Sequence, residues 1–244
     1  MSFDRWNLSA LIISIGMVIG GFLAGNGIAR VRAADRVVTV KGISEREARA
    51  DLAIWPLRIV AADNDLSRAY SQLQTSLSRT RQFLAAQQID TLQSELQDFA
   101  VQDANTNQYG SGQPSASRFV IHQTVVVRSL RPDLVLAASQ RVAELVSAGV
   151  VLSSGGEYGS GGPTFVFTGL NKLKPQMIAE ATARAREGAE QFARDSRSGL
   201  GGIRRASQGV FEILPRDQAQ GITEASQIVK TVRVVSTVEY SLEQ

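Results

Sequence analysis

The sequence predicts an α+β fold: mixed or antiparallel sheets packed by two or three long helices, with an N-terminal transmembrane helix. Three observations carry this. Runs rich in β-branched residues, alternating with period two, recur along the chain and are longest at 118–129 and 228–241. Between them lie segments with apolar residues every three, four or seven positions, at 65–88 and 175–195. Ahead of all of these, residues 6–29 hold no formally charged side chain.

That first segment (core LSALIISIGMVIGGFLAG) would reach about 36 Å as a helix, against a hydrocarbon thickness of about 30 Å. Glycines at 16, 20, 21, 25 and 27 weaken a helix in water but are tolerated in lipid, and Gly16/Gly20 and Gly21/Gly25 have small-xxx-small spacing. A buried core helix is disfavoured because the segment has no polar face. The alternative is a signal peptide cleaved after Ala33, with Val31 and Ala33 as the small residues. The length of the run and the flanking Arg30 and Arg32 argue against it. No Cys follows, which excludes lipoprotein attachment. Arg30, Arg32 and Arg36 outnumber the charges of the short N-terminal tail, but a long C-terminal domain after a single apolar segment often translocates. The expected arrangement is N-terminus inside and domain outside: residues 1–34 as anchor, 35–244 as one α+β domain.

The elements of that domain follow in order. Residues 36–42 predict a short strand and a turn; Ser44-Glu-Arg-Glu-Ala-Arg49 reads as a solvated hairpin connection. A second strand at 50–61 contains Pro56, which lacks a ladder donor and so predicts an edge strand or a bulge. The helix at 65–88 shows Leu66, Ala69, Tyr70, Leu73, Leu77 and Leu84 on one face, with Asp63 or Asp65 as N-cap. A strand at 94–101 leads into a loop at 102–117 rich in Asn, Gln, Ser and Gly, with Tyr109 exposed; a boundary between two lobes would fall there.

The strand at 118–129 is apolar on both faces, so it is expected centrally and covered on both sides. Pro132 opens the next helix, with Leu134, Ala138, Val142 and Leu145 inward and Gly149 as C-cap. Strands at 150–153 and 163–168 flank a glycine-rich loop at 155–162. The helix at 175–195 places Met177, Ile178, Ala181, Ala185, Ala189 and Phe192 inward, its alanines implying a close neighbour. Residues 199–202 read as a break before a strand at 203–213. The last strand, 228–241, has Val232, Val234, Val238 and Tyr240 on one face. The expected order is β-β-α-β-β-α-β-β-α-β-β.

Composition excludes more chemistry than it suggests. With no Cys there are no disulfides, thiolates, iron–sulfur clusters or Cys-ligated zinc; with one His, His122, there is no His cluster. His122 lies on a largely apolar face and reads as a core histidine. Glu180/Arg184 and Arg186/Glu190 are four apart and read as helix-surface ion pairs. Ser153-Ser-Gly-Gly156 and Gly159-Ser-Gly-Gly162 resemble phosphate loops in composition but lack the glycine spacing and the Lys of such loops. A formal charge of +3 is weak support for a nucleic-acid partner. Arg204-Arg205 and the arginines at 184, 186, 194 and 197 form no continuous basic stripe with aromatics, so none is expected. No catalytic, cofactor-binding or metal residue emerges.

Several segments together resemble the SIMPL-domain family, formerly a domain of unknown function. They are Val38-Thr-Val-Lys-Gly42 with Ala50-Asp51, the strand at 119–127, Ala179-x3-Ala183-x-Ala-Arg186, Gly201-x-Ile203-x2-Ala206-x-Gln208-Gly209 and the ending at 232–240. The resemblance covers about residues 36–241. It implies a bacterial periplasmic or envelope protein whose α+β domain assembles into large rings or hollow, channel-like homo-oligomers. It implies no reaction, cofactor or catalytic residue; its associations are envelope maintenance and stress tolerance. The expectation is a membrane-anchored periplasmic homo-oligomer without catalytic activity. It would be held by the bilayer through 6–29 as a single-pass protein of the inner membrane. The alternatives are a periplasmic ligand-binding protein and, for location, a secreted or periplasmic chain cleaved near Ala33.

Overall fold

The computed structural model describes residues 14–22, 36–90, 94–106, 117–153 and 162–243. Residues 14–22 are helical. The elements then run β1 (Val37–Arg49), β2 (Leu52–Asp63), α1 (Leu66–Ala86), β3 (Glu95–Asp103), β4 (Phe119–Ser129), α2 (Pro132–Gln140), α3 (Ala143–Ser147), β5 (Val151–Leu152), β6 (Thr164–Val166), α4 (Leu170–Asp195), β7 (Gly199–Gln208), β8 (Glu212–Pro215) and β9 (Val229–Glu243). The fold is α+β, with antiparallel pairing at β2–β4, β2–β5, β2–β6, β3–β4 and β7–β9. The predicted order holds, with two subdivisions. The helix expected after Pro132 breaks at Arg141–Val142, just after Ser139 turns its hydroxyl onto the Leu136 carbonyl, a bond that bends helices. The strand expected at 203–213 divides into β7 and β8.

No helix of the described residues is long and apolar enough to cross a membrane. Of the predicted span 6–29, only 14–22 is described. The loop residues 107–116 with Tyr109, and 154–161 with most of the Ser/Gly motifs, also lie outside the described residues.

The chain divides into two compact units: Met1–Glu45 with Lys174–Phe211 and Arg233–Gln244, and Arg46–Leu173 with Glu212–Val232. The divisions fall within β1, α4 and β9 and at the start of β8. Residues 102–106 and 117, the described ends of the loop expected to mark a lobe boundary, lie within the second unit.

In the first unit the strand order is β1-β9-β7, and α4 packs on one face. Its core is small: Val40, Ala185, Ala189, Val238 and Tyr240. The alanine spacing brings the helix backbone onto the sheet. A Cβ on Gly42 would stand 1.8 Å from the Ala181 carbonyl oxygen and 2.5 Å from the Ala185 nitrogen. Gly42 therefore lies inside a 13-residue strand rather than at a turn, and Ser44–Arg49 continues that strand rather than forming a hairpin connection. The glycines at 199–202 likewise lie in β7, because Gly201 abuts β9: a Cβ there would come within 2.4 Å of Ser241 Oγ. Helix α4 starts at Leu170 and carries Pro175 internally; Met177, Ala181, Ala185, Ala189 and Ala193 are buried, Ile178 is partly buried and Phe192 is exposed.

In the second unit the sheet order is β3-β4-β2-β5, with β6 also on β2. Trp55, Leu57 and Ile59 of β2 and Ile121, Val125 and Val127 of β4 face α1, α2 and α3 through Leu73, Leu77, Leu84, Val135, Ala138 and Leu145. Strand β2 is internal, contrary to the expectation from Pro56. Pro56 pairs in register with Val126, while on the other side β6 covers only residues 52–54 and β5 only 59–60, so the missing N–H falls in the gap between them. Asp65 caps α1 by accepting the Arg68 N–H at 2.9 Å. The buried stripe of α1 is Ala69, Leu73, Ser76, Leu77, Thr80, Phe83 and Leu84; Leu66 and Tyr70 are exposed beside it. Gly149 ends α3 with φ +83, as its C-cap role requires.

Candidate functional site

Helix α1 is flanked by two grooves of the second unit. The larger, about 530 Å³, lies between the Ser71–Arg79 side of α1, the end of β2, and Gly149 and Val151. Its volume suits a small molecule, but its donors are largely engaged by the fold. The Ser71 and Thr75 hydroxyls donate to the Ser67 and Ser71 carbonyls at 2.9 and 3.0 Å. The Gln72 amide donates to Asp63, and Arg79 Nη1 donates to the Ala148 carbonyl. The smaller groove, about 410 Å³, is apolar and lies beside β3, between Leu66 and Tyr70 on one side and Phe99, Val101 and Ile121 on the other.

Alternation puts His122 on the sheet face away from the helices, paired in register with Val60 and Ala100. It is partly buried there rather than in the helix-side core, and Nδ1 has no hydrogen-bond partner among the described residues. Burial pushes its pKa below the ordinary 6.5, and the Arg58 charge adds in the same direction. The unfolded chain therefore takes up this proton first. Its contribution to stability is complete above about pH 6.5 and is lost as the pH falls from there towards the lowered folded value. Substituting His122→Gln is expected to flatten that part of the stability profile, read by thermal melts across a pH series; an unchanged slope there would refute the assignment.

The helical ion pairs form as the spacing predicts, with one addition. Arg184 Nη2 meets Glu180 Oε1 at 2.6 Å, and Arg186 meets Glu190 at 3.1 Å. The first pair also ties α4 to β1: Ser44 Oγ donates to Glu180 Oε2 at 2.9 Å and Arg184 Nη1 to the Ile43 carbonyl at 2.9 Å. Arg49 and Glu45, from the segment expected as a loop, pair from β1 with Asp133 and Arg233. Among the described residues, no group of three or more His, Asp or Glu is placed to hold a metal ion.

Two features escaped the sequence reading. Lys230 is fully buried on β9, on the same face as Val232 and Val234, and its ammonium meets the carboxylate and the carbonyl oxygen of Glu224. The period-two pattern could have shown it, because 230 falls on the apolar phase. The second is that, of the strands ending the two sheets (β1 and β7, β3 and β5), β3 and β7 present open edges with exposed side chains. Among the described strands, β3 pairs only with β4 and β7 only with β9, leaving each with one row of backbone groups lacking a strand partner. Both are exposed along most of their length; Phe99 is 54% and Ile203 55% accessible. Arg204 and Arg205 lie within β7.

Residues 38–240 match the SIMPL family, "Protein of unknown function (DUF541)". The chain belongs to the SIMPL family. The match takes in β1 from Val38 and β9 as far as Tyr240, so β3 and β7 and the second unit lie within it, and the first unit does from 38 to 240. No curated protein matches the chain.

Proposed function

We propose that this SIMPL protein is a membrane-anchored, non-catalytic assembly subunit. Residues 6–29 hold it in the bacterial inner membrane, and the domain forms a large ring-like or hollow homo-oligomer in the periplasm, serving envelope maintenance or stress tolerance. The observation that carries this reading is the pair of open strand edges, with Leu96, Phe99 and Val101 exposed on β3 and Ile203 on β7, a surface suited to sheet extension. The anchor rests on the uncharged run at 6–29 and on Ile15, Met17, Val18 and Phe22, all strongly exposed on the helical stretch 14–22.

Light scattering on detergent-extracted full-length protein is expected to give one defined multimer. The chain beginning at Asp35 is expected to keep that assembly and to leave the membrane fraction. A monomer at high protein concentration would overturn the assembly reading, and a full-length chain extracted by carbonate would overturn the anchor. The groove beside Ser71–Arg79 supports the second reading, a periplasmic ligand-binding protein. That reading requires a small molecule to raise the melting temperature of the wild type and not of a variant with the groove filled by Thr75→Trp.

A further inference from the structure

Resting on the reading that the chain self-assembles, we propose that copies join head to tail, β3 of one copy adding to β7 of the next. Four observations favour this occupant. The strands match in length, nine residues against ten, and each is an edge among the described strands. Their charges are complementary: β3 carries Glu95 and Asp98, besides Asp103, which Arg118 engages, and no Lys or Arg, while β7 carries Arg204 and Arg205 and no Asp or Glu.

Their apolar rows also lie on corresponding sides. Leu96 and Val101 of β3 stand opposite Val125 and Ile121, which face the helices of the second unit. Ile203 of β7 stands opposite Tyr240, which packs with the α4 alanines in the first unit. Joining the edges thus places Leu96 and Val101 of one copy and Ile203 of the next on the helix-covered side of one extended sheet. Finally, the symmetric alternatives are penalised. Pairing β3 with β3 sets two acidic strands side by side, and pairing β7 with β7 sets two basic ones side by side. Like charges across a strand pair are destabilising.

An interface between two different edges is heterologous. Such an interface leaves every added copy with one edge of each kind still open, so the assembly grows until it closes into a ring or continues as a filament. The asymmetry of the two edges therefore selects a ring or filament over a closed dimer.

The test uses full-length protein in detergent, with mass read by light scattering. One variant combines Glu95→Lys with Asp98→Asn, the asparagine tolerating the positive φ of 53° at that bulge. A second combines Arg204→Glu with Arg205→Glu. Each alone is expected to fall from the wild-type mass to monomer: with Asp103 neutralised by Arg118, Glu95→Lys makes the first variant's β3 basic like its β7, and the second variant's two edges are both acidic. Mixed in equal amounts they are expected to regain the wild-type mass in alternating assemblies, a result that misfolded variants would not give. A multimeric wild type whose mass survives either double substitution overturns the β3–β7 interface and leaves self-assembly standing. So does failure of the mixture to reassemble. A monomeric wild type overturns the assembly reading itself.

Discussion

Replacing Gly42 with alanine is expected to lower the unfolding midpoint by about 6–12 °C, while replacing Gly188 with alanine raises it. The two glycines face each other's elements, one on β1 and one on α4, yet their surroundings differ. At Gly42 the new methyl would meet backbone, the Ala181 carbonyl oxygen at 1.8 Å and the Ala185 nitrogen at 2.5 Å, and no rotamer relieves such a clash. The helix must move off the sheet, at a cost of about 3 kcal/mol, the upper part of the range for overpacking. For a domain of this size each kcal/mol moves the midpoint by about 2–4 °C. At Gly188 the nearest atom is Val40 Cγ1 at 3.9 Å, an ordinary contact, and the residue is helical. There alanine removes the backbone-entropy penalty of glycine and should add about 0.8–1 kcal/mol. Calorimetry on the two variants decides the matter: equal shifts in one direction would mean that α4 does not approach β1 through the alanine stripe.

The second large effect is an asymmetry within one ion pair. Glu224→Gln is expected to destabilise by about 3 kcal/mol, while Lys230→Met stays within about 1 kcal/mol of wild type. Lys230 is wholly buried with its ammonium against the Glu224 carboxylate, so removing that carboxylate leaves the buried ammonium without its counter-charge. The Glu224 side chain is about a third exposed and can turn to water when Lys230 is replaced by an apolar side chain of similar length. The figure for Glu224→Gln is the lower end of the range for buried pairs, because of that partial exposure. Urea unfolding of both variants reads the difference directly, and comparable losses would show that Lys230 is not sealed from solvent.

Much of the architecture was legible in the residues. The helix boundaries at 66 and 195, the Asp65 cap, the Gly149 turn and the apolar phase of β9 each follow from a local rule: side-chain period, capping chemistry or positive φ. The alanine spacing of α4 correctly signalled a close neighbour, but nothing local identified that neighbour as Gly42, 139 positions before Ala181. Gly42 and Gly201 therefore read as turn and break, because a glycine needed for a close approach looks the same in sequence as one needed for a turn.

Pro56 failed as an edge signal for a related reason. The rule concerns the missing N–H, and only the register shows that β5 and β6 leave that one position uncovered on an internal strand. The candidate surface was the least legible part. Whether a strand is an edge depends on which other strands pair with it, so Glu95–Asp103 and Gly199–Gln208 look like any other strands until the sheet order is known.

By itself, the sequence determined the α+β class, the order of elements, the membership signalled by its distributed SIMPL segments, and the lack of thiol chemistry or a histidine cluster. These depend on composition and on contacts between residues a few positions apart. The tertiary structure alone decided that the chain forms two units from interleaved segments, that Lys230 is sealed beside Glu224, and that β3 and β7 stand open with opposite charge. Those properties are set by long-range pairing: burial and strand adjacency belong to the packed arrangement, and one-dimensional pattern carries the inward phase of a strand but not the identity of its neighbour.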